Sequence, residues 1–142
     1  MTPPKQFQTV GFTGSRKGMS AKQKEGVLSA IIAMKPSMVR HGDCVGSDAD
    51  FHTLCALPGI VRTIHPPSDN TFRAWCAGEV TLPCKDYITR NHDIVNASDV
   101  LIATPQKMVD ELRSGTWATV RYAEKIGKPC CVVFPDGSLS WR

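Results

Sequence analysis

The sequence predicts one doubly wound α/β domain with a five-stranded, mainly parallel sheet. Three observations carry this. Short apolar runs alternate with stretches of helical spacing, the pattern of βαβ units. Glycine- and aspartate-rich turns follow several of the apolar runs. The 142 residues show no internal repeat and fall within the range of a single domain with its own core.

The elements follow in order. The first strand covers 9–13 and is closed by Gly14-Ser15-Arg16. Ser20 then reads as a helix N-cap, ahead of a stripe formed by Val27, Leu28, Ile31 and Ile32 that ends near Pro36. A second strand is expected over 37–41, a helix over 47–57 stopped by Pro58-Gly59, and a third strand over 60–64. Residues 65–83 lose periodicity, with Pro66, Pro67 and Gly78 among them, and read as a long irregular loop. Helical spacing resumes over 85–97 through Tyr87, Ile88, Ile94 and Val95. A fourth strand over 100–103, a helix over 115–126 and a fifth strand over 129–134 complete the domain, with Gly127 as C-cap. Right-handed crossovers place the loops after strands one, two and four at one sheet edge, where ligands of such folds bind.

Composition excludes several classes. At 42% hydrophobic and 21% charged residues the chain is globular, and no apolar run is long enough to span a bilayer. Residues 1–8 carry no apolar run, so no secretory signal is expected and the cytoplasm is the expected compartment. The net charge of +4 suits an anionic small ligand as well as nucleic acid. The basic residues are dispersed and aromatics make up only 7%, which argues against a single-stranded nucleic-acid groove. The six cysteines are expected to be free thiols; His41, Cys44, Cys76, Cys84 and His92 are scattered without a CxxC pair, so no metal or other cofactor is expected.

Three loops carry the candidate site. Gly14, Ser15 and Arg16 offer close backbone approach, a hydroxyl and a forked donor suited to phosphate; a tight turn with a solvated arginine reads equally well. His41-Gly42-Asp43 leads through Gly46 into Ser47-Asp48, where a helix start favours an anion and Asp48 suits ribose hydroxyls. Ser47 or Asp48 as a plain N-cap is the competing reading. Thr104-Pro105, an insert, and Arg113-Ser114-Gly115-Thr116 open the last helix as a further anion site, with Thr116 alternatively a cap. Arg90 and Asn91 are too polar for the stripe of Ile88, Ile94 and Val95 and are expected on another face of their helix. Phe72, Arg73 and Trp75 read as a satellite hydrophobic cluster in preference to a base-stacking group.

Taken together, Gly14-Ser15-Arg16, His41-Gly42-Asp43 with Gly46-Ser47-Asp48, Arg90-Asn91, 98–103 and Gly115-Thr116 resemble the SLOG superfamily, over about residues 10–134. That group includes the LOG phosphoribohydrolases and the DNA-processing protein A proteins, and the likeness is greatest to its YpsA-related branch. The resemblance implies a Rossmann-like fold, a nucleotide-derived ligand with phosphate near Gly115-Thr116 and ribose or base near the first two loops, and a homodimer or higher oligomer. The LOG motif Pro-Gly-Gly-x-Gly-Thr-x-x-Glu is met only in part. Thr119 stands at the position of its glutamate, and a hydroxyl cannot do the work of that carboxylate. A binding or sensing role is therefore expected ahead of hydrolysis of an N-glycosidic or phosphate bond, for which Asp43, Asp48, Asp93 and Glu111 are the candidate acids; single-stranded nucleic-acid binding comes third.

Overall fold

The computed structural model describes residues 6–142; residues 1–5, part of the stretch read above for a leader, lie outside them. The chain runs β1 (Thr9–Gly14), α1 (Ala21–Met34), β2 (Met38–His41), α2 (Ser47–Leu54), β3 (Val61–Ile64), β4 (Val80–Thr81), α3 (Tyr87–Asn96), β5 (Val100–Thr104), α4 (Gly115–Lys125), β6 (Cys130–Val133) and β7 (Leu139–Trp141). The sheet therefore has seven strands, in the order β4-β3-β2-β1-β5-β6-β7, rather than the five expected. The expectation missed β4 because two residues are too few to show alternation, and it stopped before β7, a three-residue strand paired antiparallel to β6. All other pairings are parallel.

Local chemistry explains where the helices start. Ser20 caps α1 in a full capping box, its hydroxyl accepting from the Gln23 amide while Gln23 Oε1 accepts from the Ser20 amide. Gln23 is buried and its Nε2 donates to the carbonyls of Pro105 and Val133, which ties the start of α1 to the ends of β5 and β6. Asp86 caps α3 and Ser114 caps α4.

Two cores flank the sheet. Val27, Ile31 and Met34 of α1 with Phe51 and Cys55 of α2 pack on one face. Val95 of α3 with Trp117, Val120 and Ala123 of α4 pack on the other. β5 shows the period-two logic of a strand buried on both sides: Val100 and Ile102 join the first core, Leu101 and Ala103 the second. Each such buried side chain contributes on the order of 1.5–3 kcal/mol. Cys130 and Cys131 lie in β6, one to each core, and all six cysteines are free. Among the described residues no helix is long and apolar enough to cross a membrane.

The order of the strands reverses between β1 and β5. Their carboxyl ends meet at the registered pair Gly14 and Thr104. The loops after β1, β2 and β5 all leave from this edge, at the topological switch point.

Candidate functional site

A cleft of about 860 Å³ opens at the switch point. Of the residues expected there, Gly14, Ser15, Arg16, Gly42, Asp48, Arg90, Asn91, Arg113, Ser114, Gly115 and Thr116 line it. His41, Asp43, Gly46, Ser47 and Thr104 do not. Ser47 and Thr104 lie fully buried against Gly14, where a Cβ would meet both, their hydroxyls without hydrogen-bond partners. Gly46 serves the loop: its φ of +89° lies in the left-handed region, and a Cβ there would strike the Arg16 backbone. It, and not Ser47 or Asp48, occupies the N-cap position of α2, with no side-chain cap.

The cleft is cationic. Arg16 lies over the ring of Phe72 at 4.0 Å and 5.6 Å from that of Tyr87, so two aromatic faces hold its guanidinium in place. The Ser15 hydroxyl accepts from the Lys17 amide, turning Lys17 into the cleft. Arg90 is buried, not solvated: it is 5% exposed and donates to the carbonyls of Gly42 and, at 3.2 Å, His65, and to Asn91 Oδ1. Gly42 is the residue that makes room, since any Cβ there would meet that guanidinium. Among the described residues, no carboxylate comes within ion-pair distance of Arg16, Lys17, Arg90 or Arg113.

At the start of α4 the Ser114 hydroxyl accepts from the Trp117 amide, so Ser114 is the cap and Thr116 is not. The Gly115 and Thr116 amides find no acceptor among the described residues, and open space lies in front of Gly115. Thr119 is buried, its hydroxyl donating back to the Gly115 carbonyl at 2.9 Å. It supports the helix turn and does not line the cleft.

Of the four candidate acids, Asp48 and Glu111 line the cleft. Asp48 is 7% exposed, its Oδ2 accepts from the Cys44 amide, and burial pushes its carboxyl up to about 6, with Arg90 pulling the other way. Glu111 pairs loosely with Lys107 at 3.8 Å. Asp93 pairs with Lys85 at 2.7 Å beside a smaller cavity of about 230 Å³. Asp43 is fully buried and is taken up by the 65–86 segment: Oδ2 accepts from Arg73 Nε, Oδ1 from the Cys76 amide, and its carbonyl from the Ala74 amide.

Sequence reasoning left Tyr87, Lys17, Cys44 and Leu112 out of the site. Tyr87 and Arg90 stand three apart on one helix, a spacing that puts both on the same face, and that signal was readable. Phe72 and Trp75 are exposed and stack on arginines, so they form no satellite hydrophobic cluster.

One His/Cys group among the described residues is compact enough to be weighed as a metal centre: His41, His52 and Cys76. The hydrogen bonds assign its protons. The Asp43 amide can only donate, so His41 Nδ1 accepts and its Nε2 carries the hydrogen, which goes to His52 Nδ1; His52 Nε2 then donates to the Ala77 carbonyl. Burial pushes His41 down to about 3 and lowers His52 as well, so both rings are neutral. An ion on His41 Nε2 would require breaking the Asp43 bond or an imidazolate. The group fits a neutral relay that fastens Ala77, and does not fit a metal.

Comparison of the structure with solved ones decides the fold class. The molybdenum cofactor binding protein from the phototrophic bacterium Rippkaea orientalis superposes with a TM-score of 0.67 over 94% of this chain and 78% of that one, at 19% identity. TM1055, a structural-genomics target, superposes with a TM-score of 0.64 over 87% of this chain and 72% of that one, at 15% identity. The fold is Rossmann-like. At these identities the likeness concerns the fold alone, and it agrees with the fold implied by the SLOG resemblance. No family model and no curated protein matches the sequence.

Proposed function

We propose that the cleft binds a nucleotide-derived small molecule with a phosphorylated ribose, and that the domain acts as a binding or sensing module of SLOG type, in its YpsA-related branch. One observation carries this reading: four cations without carboxylate partners converge with the free amides at the start of α4 on one cleft at the switch point. A phosphate there gains charge-assisted bonds from Arg16 and Arg113 and the favourable end of the helix dipole. Asp48, one carboxylate oxygen held by Cys44, is the acceptor for ribose hydroxyls. The homodimer belongs to the same proposal; the exposed Met108, Val109 and Leu112 offer apolar surface for it.

Asp48 also favours a second reading. A buried carboxyl held near 6 beside Arg90 has the properties of a general acid for N-glycosidic or phosphate hydrolysis, a role that Thr119 cannot fill. The third reading, single-stranded nucleic acid, has less support, since the cations gather in one cleft and form no continuous groove.

The test is a thermal-shift and calorimetric panel of nucleoside phosphates, ADP-ribose compounds and, because of the Rippkaea orientalis likeness, molybdenum cofactor, with mass spectrometry of whatever the purified protein releases. Arg16→Ala is expected to weaken the ligand that binds by about tenfold or more, as befits loss of a charge-assisted bond. Turnover abolished by Asp48→Asn would establish the hydrolase instead. An empty protein with no shift across the panel would overturn the nucleotide reading.

A further inference from the structure

Trp75 is 62% exposed and has a φ of +58°, a conformation a bulky residue adopts only when its surroundings impose it. The imposing group is Asp43. Its carbonyl accepts from the Ala74 amide at 2.7 Å and its Oδ1 from the Cys76 amide at 2.8 Å, so the residues on both sides of Trp75 are pulled inward. The Asp43 Oδ2 also accepts from Arg73 Nε at 2.8 Å, and the Arg73 guanidinium carbon lies over the Trp75 indole, 3.8 Å from its centroid. The indole is thus extruded, backed on one face by a fixed cation, and open on the other. Among the described residues, neither apolar core includes it.

The place of this indole matters. Arg73 pairs with Cys44 in an antiparallel bridge, the Val45 amide donates to the Phe72 carbonyl, and Phe72 carries Arg16. Cys44 and Arg16 line the cleft, so Trp75 stands beside its rim and outside its lining.

We propose that Trp75 is a stacking platform for the planar heterocycle of the ligand whose phosphate and ribose occupy the cleft. In this arrangement the phosphate and ribose sit in the cleft and the base extends past its rim onto the exposed indole. The inference rests on the binding reading above but makes a separate demand: the base must contribute. Stacking of this kind tolerates any base, since every base has a π-face.

The experiment compares the four common nucleoside monophosphates with ribose 5-phosphate by calorimetry and by tryptophan fluorescence, on the intact chain and on Trp75→Leu and Trp75→Phe. Trp75 is the most exposed of the three tryptophans, Trp117 being buried and Trp141 half-buried, so quenching lost in Trp75→Leu reports on it. The expected result is that monophosphates bind at least about tenfold tighter than ribose 5-phosphate, within the reach of one base–aromatic stack. Trp75→Leu removes that preference and the quenching while ribose 5-phosphate binds as before, and Trp75→Phe keeps most of the preference. If ribose 5-phosphate binds and the bases add nothing, or Trp75→Leu weakens both probe classes alike, the platform is wrong and the cleft reading stands. If neither class binds the intact protein, the platform for these bases is overturned, and the wider panel above decides the cleft reading.

Discussion

Asp48 shows how one residue can trade stability for a site. Its carboxyl is buried at the start of α2, where burial raises it from an ordinary 3.8 to about 6. Between these values the folded chain holds a proton that the unfolded chain has released, so stability falls as pH rises through that window. Above it the folded state carries a buried charge that the Cys44 amide and Arg90 only partly offset. Asp48→Asn keeps an acceptor for Cys44 and removes the charge. Urea denaturation should find the variant more stable by about 2 kcal/mol at pH 7.5 and indistinguishable from the parent at pH 4. Equal stability at pH 7.5 would mean that the carboxylate is better solvated than its 7% exposure implies. A second residue-scale lesson concerns Gly42 and Gly46. Both belong to the loop that leads into the helix start expected to favour an anion; one makes room for Arg90 and the other for the Arg16 backbone. Glycine in a sequence signals close approach without saying of what.

At the scale of elements, the 65–86 segment is the part that sequence described least well. It contains β4, and a series of polar contacts ties it to the sheet. Asp43 takes Arg73, Ala74 and Cys76; the neutral His41–His52 relay takes Ala77; Glu79 takes Arg62 at 2.9 Å. This makes Asp43 the hinge between the second loop and the segment that carries Phe72 and Trp75. Asp43→Ala leaves Arg73 and the Cys76 amide without their acceptor, and is expected to cost about 3 kcal/mol in global stability. Limited proteolysis should cut first within residues 72–79. A loss below about 0.5 kcal/mol, with no new cleavage there, would show that Asp43 is not the fastening point.

Over the whole molecule, the buried histidines set the response to acid. Burial holds His41 down to about 3 and His65 to about 4, and lowers His52 in the same direction. The unfolded chain takes up these protons near 6.5 while the folded chain refuses them. Their contribution is present above about 6.5 and is lost as pH falls. His41, the most deeply buried, accounts for about 1.4 kcal/mol per pH unit in that range. Asp48 acts with the opposite sign between about 6 and 4, but it is one group against three. The midpoint of urea unfolding should therefore drop steadily from pH 6.5 to pH 4.5. A flat profile would mean that the relay takes up protons in the folded state, contrary to its hydrogen bonds.

Sequence by itself determined the alternation of strands and helices, the cap at Ser20, and the convergence of three loops on one edge; the C-cap expected at Gly127 falls one residue earlier, on Ile126, with Gly127 just beyond it at a φ of +77°. These depend on local periodicity and turn chemistry, and every such signal lies within a few residues. The tertiary structure alone decided which residues of those loops face the cleft. Ser15, Arg16, Asp48, Arg90, Gly115 and Thr116 line it, whereas His41, Asp43, Ser47 and Thr104 turn inward. It also decided that Arg90 is buried, that Trp75 is extruded, and that two short strands extend the sheet. Each of these follows from partners distant in sequence, such as Gly42 for Arg90 and Arg73 with Asp43 for Trp75. A loop's composition states which chemistry it can offer; the side toward which each residue offers it is set by the neighbour that arrives from elsewhere in the chain.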